Sequence, residues 1–189
     1  SKVLYPNDNH VEGKILRLRQ QYFLSAASVH DITERHASLY GTLDNLPDKV
    51  AIHINDTHPT LAIPELMRVL LDDCGFTWEK AFDLTRRTFA YTNHTVMSEA
   101  LEKWNIDLFR RTLPRIYQIC EELDRRCRVD LHKVFGDDWG KIDYMAILGD
   151  HQVRPSHHHL LCKFFCISVF AVVINIDRNC HFLFPPFLN

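Results

Sequence analysis

Hydrophobic positions along the chain recur with two different periods. Over residues 11–37, apolar side chains return three or four apart, at Ile15, Leu18, Tyr22, Ala26, Val29 and Ile32, while Lys14, Arg17, Gln20 and Gln21 take other faces. That spacing predicts one long amphipathic helix. Gly41 and the turn formers of residues 44–48, Pro47 among them, interrupt it. Val50, Ile52 and Ile54 then alternate with Ala51 and His53, the period of a short strand that is expected to be buried. The strand leads directly into Asn55-Asp56-Thr57-His58-Pro59-Thr60, and Pro64 is expected to open a helix to about residue 73, because proline is tolerated in a first turn. Thr77 reads as the N-cap of a helix over 78–88, followed by a strand at Phe89-Ala90-Tyr91-Thr92 and a second polar loop at Asn93-His94-Thr95. Ser98 is expected to cap a short helix reaching Trp104. One long helix is expected from Leu108 to Val134, with Pro114 near its start. Strands alternating with helices predict an α/β layered domain built on a parallel sheet.

Composition narrows the class. The chain has 189 residues, 22 Lys plus Arg against 24 Asp plus Glu, a formal net charge of −2 and 46% hydrophobic residues, so a packed core is expected. Wholesale disorder and a basic nucleic-acid-binding surface are poor descriptions, and no nucleic-acid partner is expected. None of the six glycines are spaced as a G-x-G-x-x-G or Walker loop, so side chains or helix ends would have to handle any phosphate. The six cysteines lack regular spacing, which favours reduced thiols and a cytoplasmic setting over a disulfide framework. The chain starts at Ser1 with no leader pattern, and reads as a cut piece. After Arg154 the composition changes: residues 155–189 hold six of the twelve Phe, three of the six Cys, no Glu and three charged residues. The apolar run 160–176 has 17 residues, interrupted by Lys163, which is the short limit of a bilayer span, so membrane insertion is not the expected reading. His157-His158-His159 with Cys162 and Cys166 offers ligand atoms without the spacing of a structural zinc site, and no metal is expected.

Candidate chemistry lies at the two strand ends. In open α/β sheets, ligands bind where the carboxyl ends of strands open into loops. His58 and His94 both occupy such positions. Asp56, two residues before His58, is suited to orient the imidazole and keep it a donor toward sugar hydroxyls or phosphate oxygens. The same residues equally describe an Asx turn with a packed histidine, and Asn93 with His94 can be turn formers only; spacing leaves both readings open.

Longer stretches carry a resemblance. The segment Asn55-Asp56-Thr57-His58-Pro59-Thr60-Leu61-Ala62-Ile63-Pro64-Glu65-Leu66-Met67-Arg68 and the segment Ala90-Tyr91-Thr92-Asn93-His94-Thr95, followed by Glu99-Ala100-Leu101-Glu102-Lys103-Trp104, closely resemble the glycogen and starch phosphorylase family. Leu4-Tyr5-Pro6-Asn7-Asp8-Asn9 and Leu16-Arg17-Leu18-Arg19-Gln20-Gln21-Tyr22-Phe23 resemble that family's gate loop and following helix, and Leu113-Pro114-Arg115 continues the likeness. Residues 1–154 therefore look like part of the Rossmann-like N-terminal domain of a two-domain, glycosyltransferase-B type α-1,4-glucan phosphorylase. Residues 155–189 carry no family motif and are expected to form an irregular, non-family tail, either disordered or mistranslated.

The resemblance implies an enzyme in which orthophosphate attacks the terminal glucose of glycogen or starch to release glucose 1-phosphate, with pyridoxal phosphate as cofactor and a homodimer as the working assembly. It implies that Asp56, His58 and His94 are catalytic, with Asp56 and His58 lining the glucose pocket and His94 meeting the sugar through its side chain and carbonyl. Asp8, Asn9, Asn93 and Thr95 would bind substrate or hold the pocket's shape. The cofactor lysine would lie outside this chain, leaving no cofactor-binding residue here, and the isolated chain is expected to be inactive, acting at most as a glucan- or subunit-binding module. One departure concerns regulation. Where some family members carry two adjacent arginines after the gate, this chain has Thr33-Glu34-Arg35-His36, and Glu34 reverses the sign that would attract a phosphate. Nucleotide control is therefore not expected, and a solvated helix face explains Glu34 and Arg35 equally well.

Overall fold

The period-3.6 pattern forms helix α1, Val11–Tyr40, in the computed structural model, which describes residues 6–92 and 102–154. Its buried stripe is Leu18, Ser25, Val29, Thr33 and His36, so three polar residues join the apolar face, Thr33 and His36 through hydrogen bonds of their own. Both are satisfied locally: Thr33 Oγ1 donates to the Val29 carbonyl at 2.8 Å, and the His36 ring bonds Asn45 at 2.8 Å. Gly41 stops the helix in a left-handed conformation, φ 71°, with its N–H on the Ala37 carbonyl. A single unforeseen turn, α2 (Leu46–Lys49), follows, with Pro47 in its first turn and Leu46 fully buried.

Strand β1 (Ile52–Asn55) pairs in parallel with β2 (Phe89–Thr92), Ile52 opposite Phe89 and Asn55 opposite Thr92. The crossover between them is helical. α3 (Ala62–Arg68) begins two residues before Pro64, because a proline in the first turn has no N–H to lose and the helix can start ahead of it. It continues as a π-helical turn, Val69–Asp73, with Arg68 spanning it by bonding both Glu65 and Asp73. α4 (Trp78–Thr88) starts where Thr77 caps it, the hydroxyl accepting from the Lys80 N–H at 3.3 Å.

The second half departs from expectation. Trp104 lies in a two-residue strand, β3 (Trp104–Asn105), not at a helix end; the helix expected from Ser98 falls outside the described residues. The single long helix is two, α5 (Ile106–Thr112) and α6 (Pro114–Phe135). Leu113 breaks the run at φ −133°, ψ 65°, since the residue before a proline is pushed out of the helical region. α7 (Trp139–Met145) and two short strands, β4 (Leu148–Gly149) and β5 (Gln152–Val153), complete an antiparallel sheet in the order β3-β5-β4. The architecture is thus mixed: one parallel pair and one small antiparallel sheet among helices.

Two larger apolar clusters and a smaller one of Cys127, Leu131 and Ile142, which seats α7 on α6, hold these elements. Ile54, Leu66, Met67, Leu70, Leu84 and Phe89 join β1, α3, α4 and β2, with Val29 of α1 and Ile119 of α6 closing the group. Leu18, Leu61, Trp104, Phe109, Ile116 and Val153 form a second cluster under the N-terminal half of α1. Each fully buried leucine or phenylalanine contributes about 1.5–3 kcal/mol relative to exposure, which fixes α3 centrally because it presents side chains to several neighbours at once. Among the described residues no helix is long and apolar enough to cross a membrane. The tail expected to be irregular, with its apolar run and its His and Cys ligand atoms, lies outside the described residues.

Candidate functional site

Parallel pairing brings the carboxyl ends of β1 and β2 together. The Asp56 N–H donates to the Thr92 carbonyl at 3.0 Å, extending the ladder one step past Asn55. Asp56 itself has φ 60°, a left-handed conformation that an aspartate tolerates better than most residues and that turns the chain sharply off the sheet. The turn is closed by Thr60, whose N–H and hydroxyl both reach the Thr57 carbonyl, at 3.3 and 2.6 Å. Among the described residues the Asp56 carboxylate makes no Asx hydrogen bond, so the turn-capping alternative is filled by Thr60 instead. Nor is His58 packed: its side chain is 58% exposed. Asn93, His94 and Thr95 lie outside the described residues; β2 ends at Thr92, beside Asn55 and Asp56.

The partner of His58 is not Asp56. Its Nδ1 lies 3.5 Å from Glu102 Oε2 and 3.5 Å from Gln21 Nε2. The Glu102 side chain is only 12% exposed and gathers several donors. Arg17 Nε donates to Oε1 at 3.1 Å, Gln21 Nε2 to both oxygens at 3.0 and 3.3 Å, and Thr57 Oγ1 to Oε2 at 3.5 Å. Arg17 also faces Asp8, 3.7 Å away, so Asp8 and His58 are connected through one arginine and one glutamate. Asn9 is exposed, and its N–H donates to the Asn7 side chain at 3.0 Å. The left-handed turn at Asp56 explains the altered pairing: it leaves no hydrogen bond between Asp56 and His58, and α1 and Glu102 supply the imidazole's neighbours. Arg17, Gln21 and Glu102 lie inside the resembling segments, but their positions in the sequence assign them no role. The four-residue spacing of Arg17 and Gln21 on one helix face was the available signal; nothing in the spacing pointed to Glu102.

Electrostatically the site is acidic: Glu102 lies against His58, Asp8 faces Arg17, and Asp56 is two residues before the histidine. The site's guanidinium, on Arg17, is already engaged by Glu102 and Asp8. Carboxylates, a carboxamide and an imidazole are the acceptor and donor set for neutral polyols. A second polar chain lies next to it: the Tyr22 hydroxyl donates to Glu65 Oε2 at 2.7 Å, and Glu65, 3% exposed, also receives Arg68. Burial, together with that carboxylate, pushes the Tyr22 phenol up to about 12. On the outer face of α1, Arg35 pairs with Asp31 at 2.8 Å and Glu34 with His30 at 3.1 Å, all well exposed, as a solvated helix face requires. Pyridoxal phosphate needs a desolvated lysine to hold it. All six described lysines, Lys14, Lys49, Lys80, Lys103, Lys133 and Lys141, are exposed, so the residues described here do not fit that group. No cluster of three or more His, Cys, Asp or Glu able to hold a metal occurs among the described residues.

A histidine, carboxylates and a carboxamide thus gather at the open end of parallel strands, the position at which α/β folds bind ligands. A carbohydrate phosphorylase family profile matches residues 1–173, and the chain belongs to that family. It is 47% identical to a glycogen phosphorylase of Bacillus subtilis over 195 aligned positions, which take in 100% of this chain and 24% of the relative. A glycogen phosphorylase of Haemophilus influenzae is 56% identical over 124 positions, 66% of this chain and 15% of that protein. An H-isozyme alpha-glucan phosphorylase of Triticum aestivum is 49% identical over 158 positions, 81% and 19% respectively. The chain spans about a quarter or less of the length of these relatives.

Proposed function

We propose that residues 1–154 are part of the Rossmann-like N-terminal domain of an α-1,4-glucan phosphorylase and supply one wall of its glucose site. The observation that carries this reading is the loop after β1, which leaves the Asp56 carboxylate without a hydrogen-bonding partner among the described residues and His58 exposed beside Glu102, whose partner Arg17 faces Asp8. In the whole enzyme an orthophosphate oxygen bonds to the anomeric carbon of the terminal glucose. The bond to the next glucose breaks, and its oxygen takes the proton that the orthophosphate gives up, leaving glucose 1-phosphate and a shortened glucan. Asp56 and His58 hydrogen-bond sugar hydroxyls, and the His94 carbonyl dipole favours positive charge developing at the anomeric carbon. Asn93 and Thr95 hold that carbonyl. Asp8 and Asn9 cover the sugar and exclude water, favouring phosphate over water as the attacking group. Pyridoxal phosphate and the cations that clamp orthophosphate belong to residues outside this chain, and the whole enzyme works as a homodimer.

A second reading treats the isolated chain as a glucan- or subunit-binding module without turnover. What favours it is the wide apolar exposure of α1, with Phe23, Leu24 and Leu39 all more than 60% exposed. Saturation-transfer NMR with maltopentaose separates sugar recognition from apolar adhesion. Saturation of the terminal glucose that disappears in His58→Ala, and in His94→Ala, supports the sugar wall. Equal signals in wild type and both variants would reject it.

A further inference from the structure

We propose that Glu102 is a positioning residue of this site: its carboxylate sets the His58 ring and, through Arg17, the place of Asp8. The inference rests on the sugar-site reading of His58 and Asp8. Four side chains from two separate elements converge on this one group: Arg17 and Gln21 from α1, and Thr57 and His58 from the loop after β1. Among the polar contacts of the described residues, the carboxylate joins the two sides, and apart from it one 3.5 Å contact links Gln21 to His58.

The chemistry suits orientation. A carboxylate 12% exposed has shed most of its hydration and needs its lone pairs filled by donors. Arg17 and Gln21 fill Oε1, and Gln21, Thr57 and His58 gather at Oε2. Charge-assisted bonds of this type are shorter and stronger than neutral ones, so the carboxylate holds its donors more firmly than a carboxamide of the same shape. His58 is left with an edge open to solvent, as its 58% exposure requires, while its Nδ1 side is held. A ring fixed on one side and free on the other presents its second nitrogen to a ligand in one orientation. Among the described residues the Asp8 carboxylate, 56% exposed, has one side-chain partner, the Arg17 guanidinium 3.7 Å away, so its location follows wherever Glu102 holds that guanidinium.

The test uses the full chain labelled with 15N, in wild type, Glu102→Gln and Glu102→Asp, with His58→Ala to assign the ring signals. Ligand-free spectra are recorded first and maltopentaose is titrated afterwards. In Glu102→Gln the His58 ring nitrogens and the Arg17 Nε signal shift without ligand, the unfolding midpoint and core amides stay in place, and maltopentaose affinity falls about tenfold, the equivalent of one lost charge-assisted bond. Glu102→Asp restores the Arg17 signal more fully than the His58 signal, because the shortened carboxylate cannot reach both sides. Unmoved His58 and Arg17 signals in Glu102→Gln would overturn the proposal. So would shifts spread over both larger apolar clusters with a lowered midpoint, which mark a purely structural group. Shifts confined to His58, Arg17 and Asp8 in a chain whose wild type binds no maltopentaose would uphold the positioning and sink the sugar-site reading instead.

Discussion

At the scale of single residues, the ionisable groups next to the site make the sharpest statements. Tyr22 is half-buried against Glu65, and burial first, then the hydrogen bond to that carboxylate, raises its phenol from 10.0 to about 12. The neutral phenol is thus the form that the fold favours. Below pH 10 the folded and unfolded chains hold the same proton, and the contribution to stability is complete. Between pH 10 and 12 the unfolded chain releases the proton and the folded chain keeps it, so stability falls as pH rises. Urea unfolding of wild type is expected to weaken more steeply across pH 10 to 12 than that of Tyr22→Phe, and the tyrosinate absorbance of the native chain should lose one high-pH component in the variant. Parallel curves would show that Tyr22 titrates normally. Cysteines follow the same logic. Cys120 is buried, with its thiol pushed up to about 12, whereas Cys74 is exposed. Brief iodoacetamide treatment of native protein, mapped by mass spectrometry, is expected to modify Cys74 and spare Cys120 and Cys127.

Elements show why some of the fold was legible and some was not. Helices α1 and α4 were readable because an apolar stripe and a cap act locally: Thr77 needs only the Lys80 N–H three residues on. The division at Leu113 was encoded by Pro114 but depends on a steric effect on the preceding residue that a periodic pattern conceals. Strands of two residues, such as β4 and β5, have no period at all. They exist because Asp124 on α6 accepts the Ile147 and Leu148 N–H groups at 2.8 and 3.0 Å while bonding Arg128 at 2.7 Å. That carboxylate is buried, so Asp124→Ala leaves two backbone donors and a guanidinium without it and is expected to cost about 3 kcal/mol in urea unfolding. The exposed neighbour Glu121→Ala is expected to cost well under about 1 kcal/mol. A similar cost at both positions would mean that the hairpin does not depend on Asp124. Gly13 links an element to the site. A methyl group built there overlaps the Asn7 carbonyl oxygen, so the turn carrying Asp8 packs directly on the first turn of α1. Gly13→Ala is expected to raise helix propensity by about 1 kcal/mol while forcing that turn outward. Hydrogen exchange should then accelerate at residues 7–9 with α1 unchanged or slower, and unchanged exchange there would mean that the turn accommodates the methyl group.

At the scale of the whole molecule, the sequence located the loops of the site but not its wiring. Asp56 and His58 can be placed after a strand end by pattern, yet the link from His58 to Asp8 runs through Glu102 and Arg17, which are 85 residues apart and meet only in the fold. Long-range convergence of this kind leaves no trace in spacing. The same geometry bears on activity. Orienting a sugar on one wall does not by itself bring an attacking phosphate to the anomeric carbon; effective catalysis needs both reactants held together in a site that excludes water. On this wall the Arg17 guanidinium is committed to carboxylates, and every described lysine is exposed. The chain is accordingly expected to bind maltopentaose weakly and to release no glucose 1-phosphate from glycogen with orthophosphate present, with or without added pyridoxal phosphate. A coupled phosphoglucomutase assay reads this directly, with His58→Ala as the control for contaminating enzyme. Phosphate-dependent product that vanishes in His58→Ala would mean that this portion of the fold assembles a complete site. Product that persists in the variant comes from another protein. No product together with retained, His58-dependent sugar binding separates recognition from turnover and places the missing chemistry on the opposing wall.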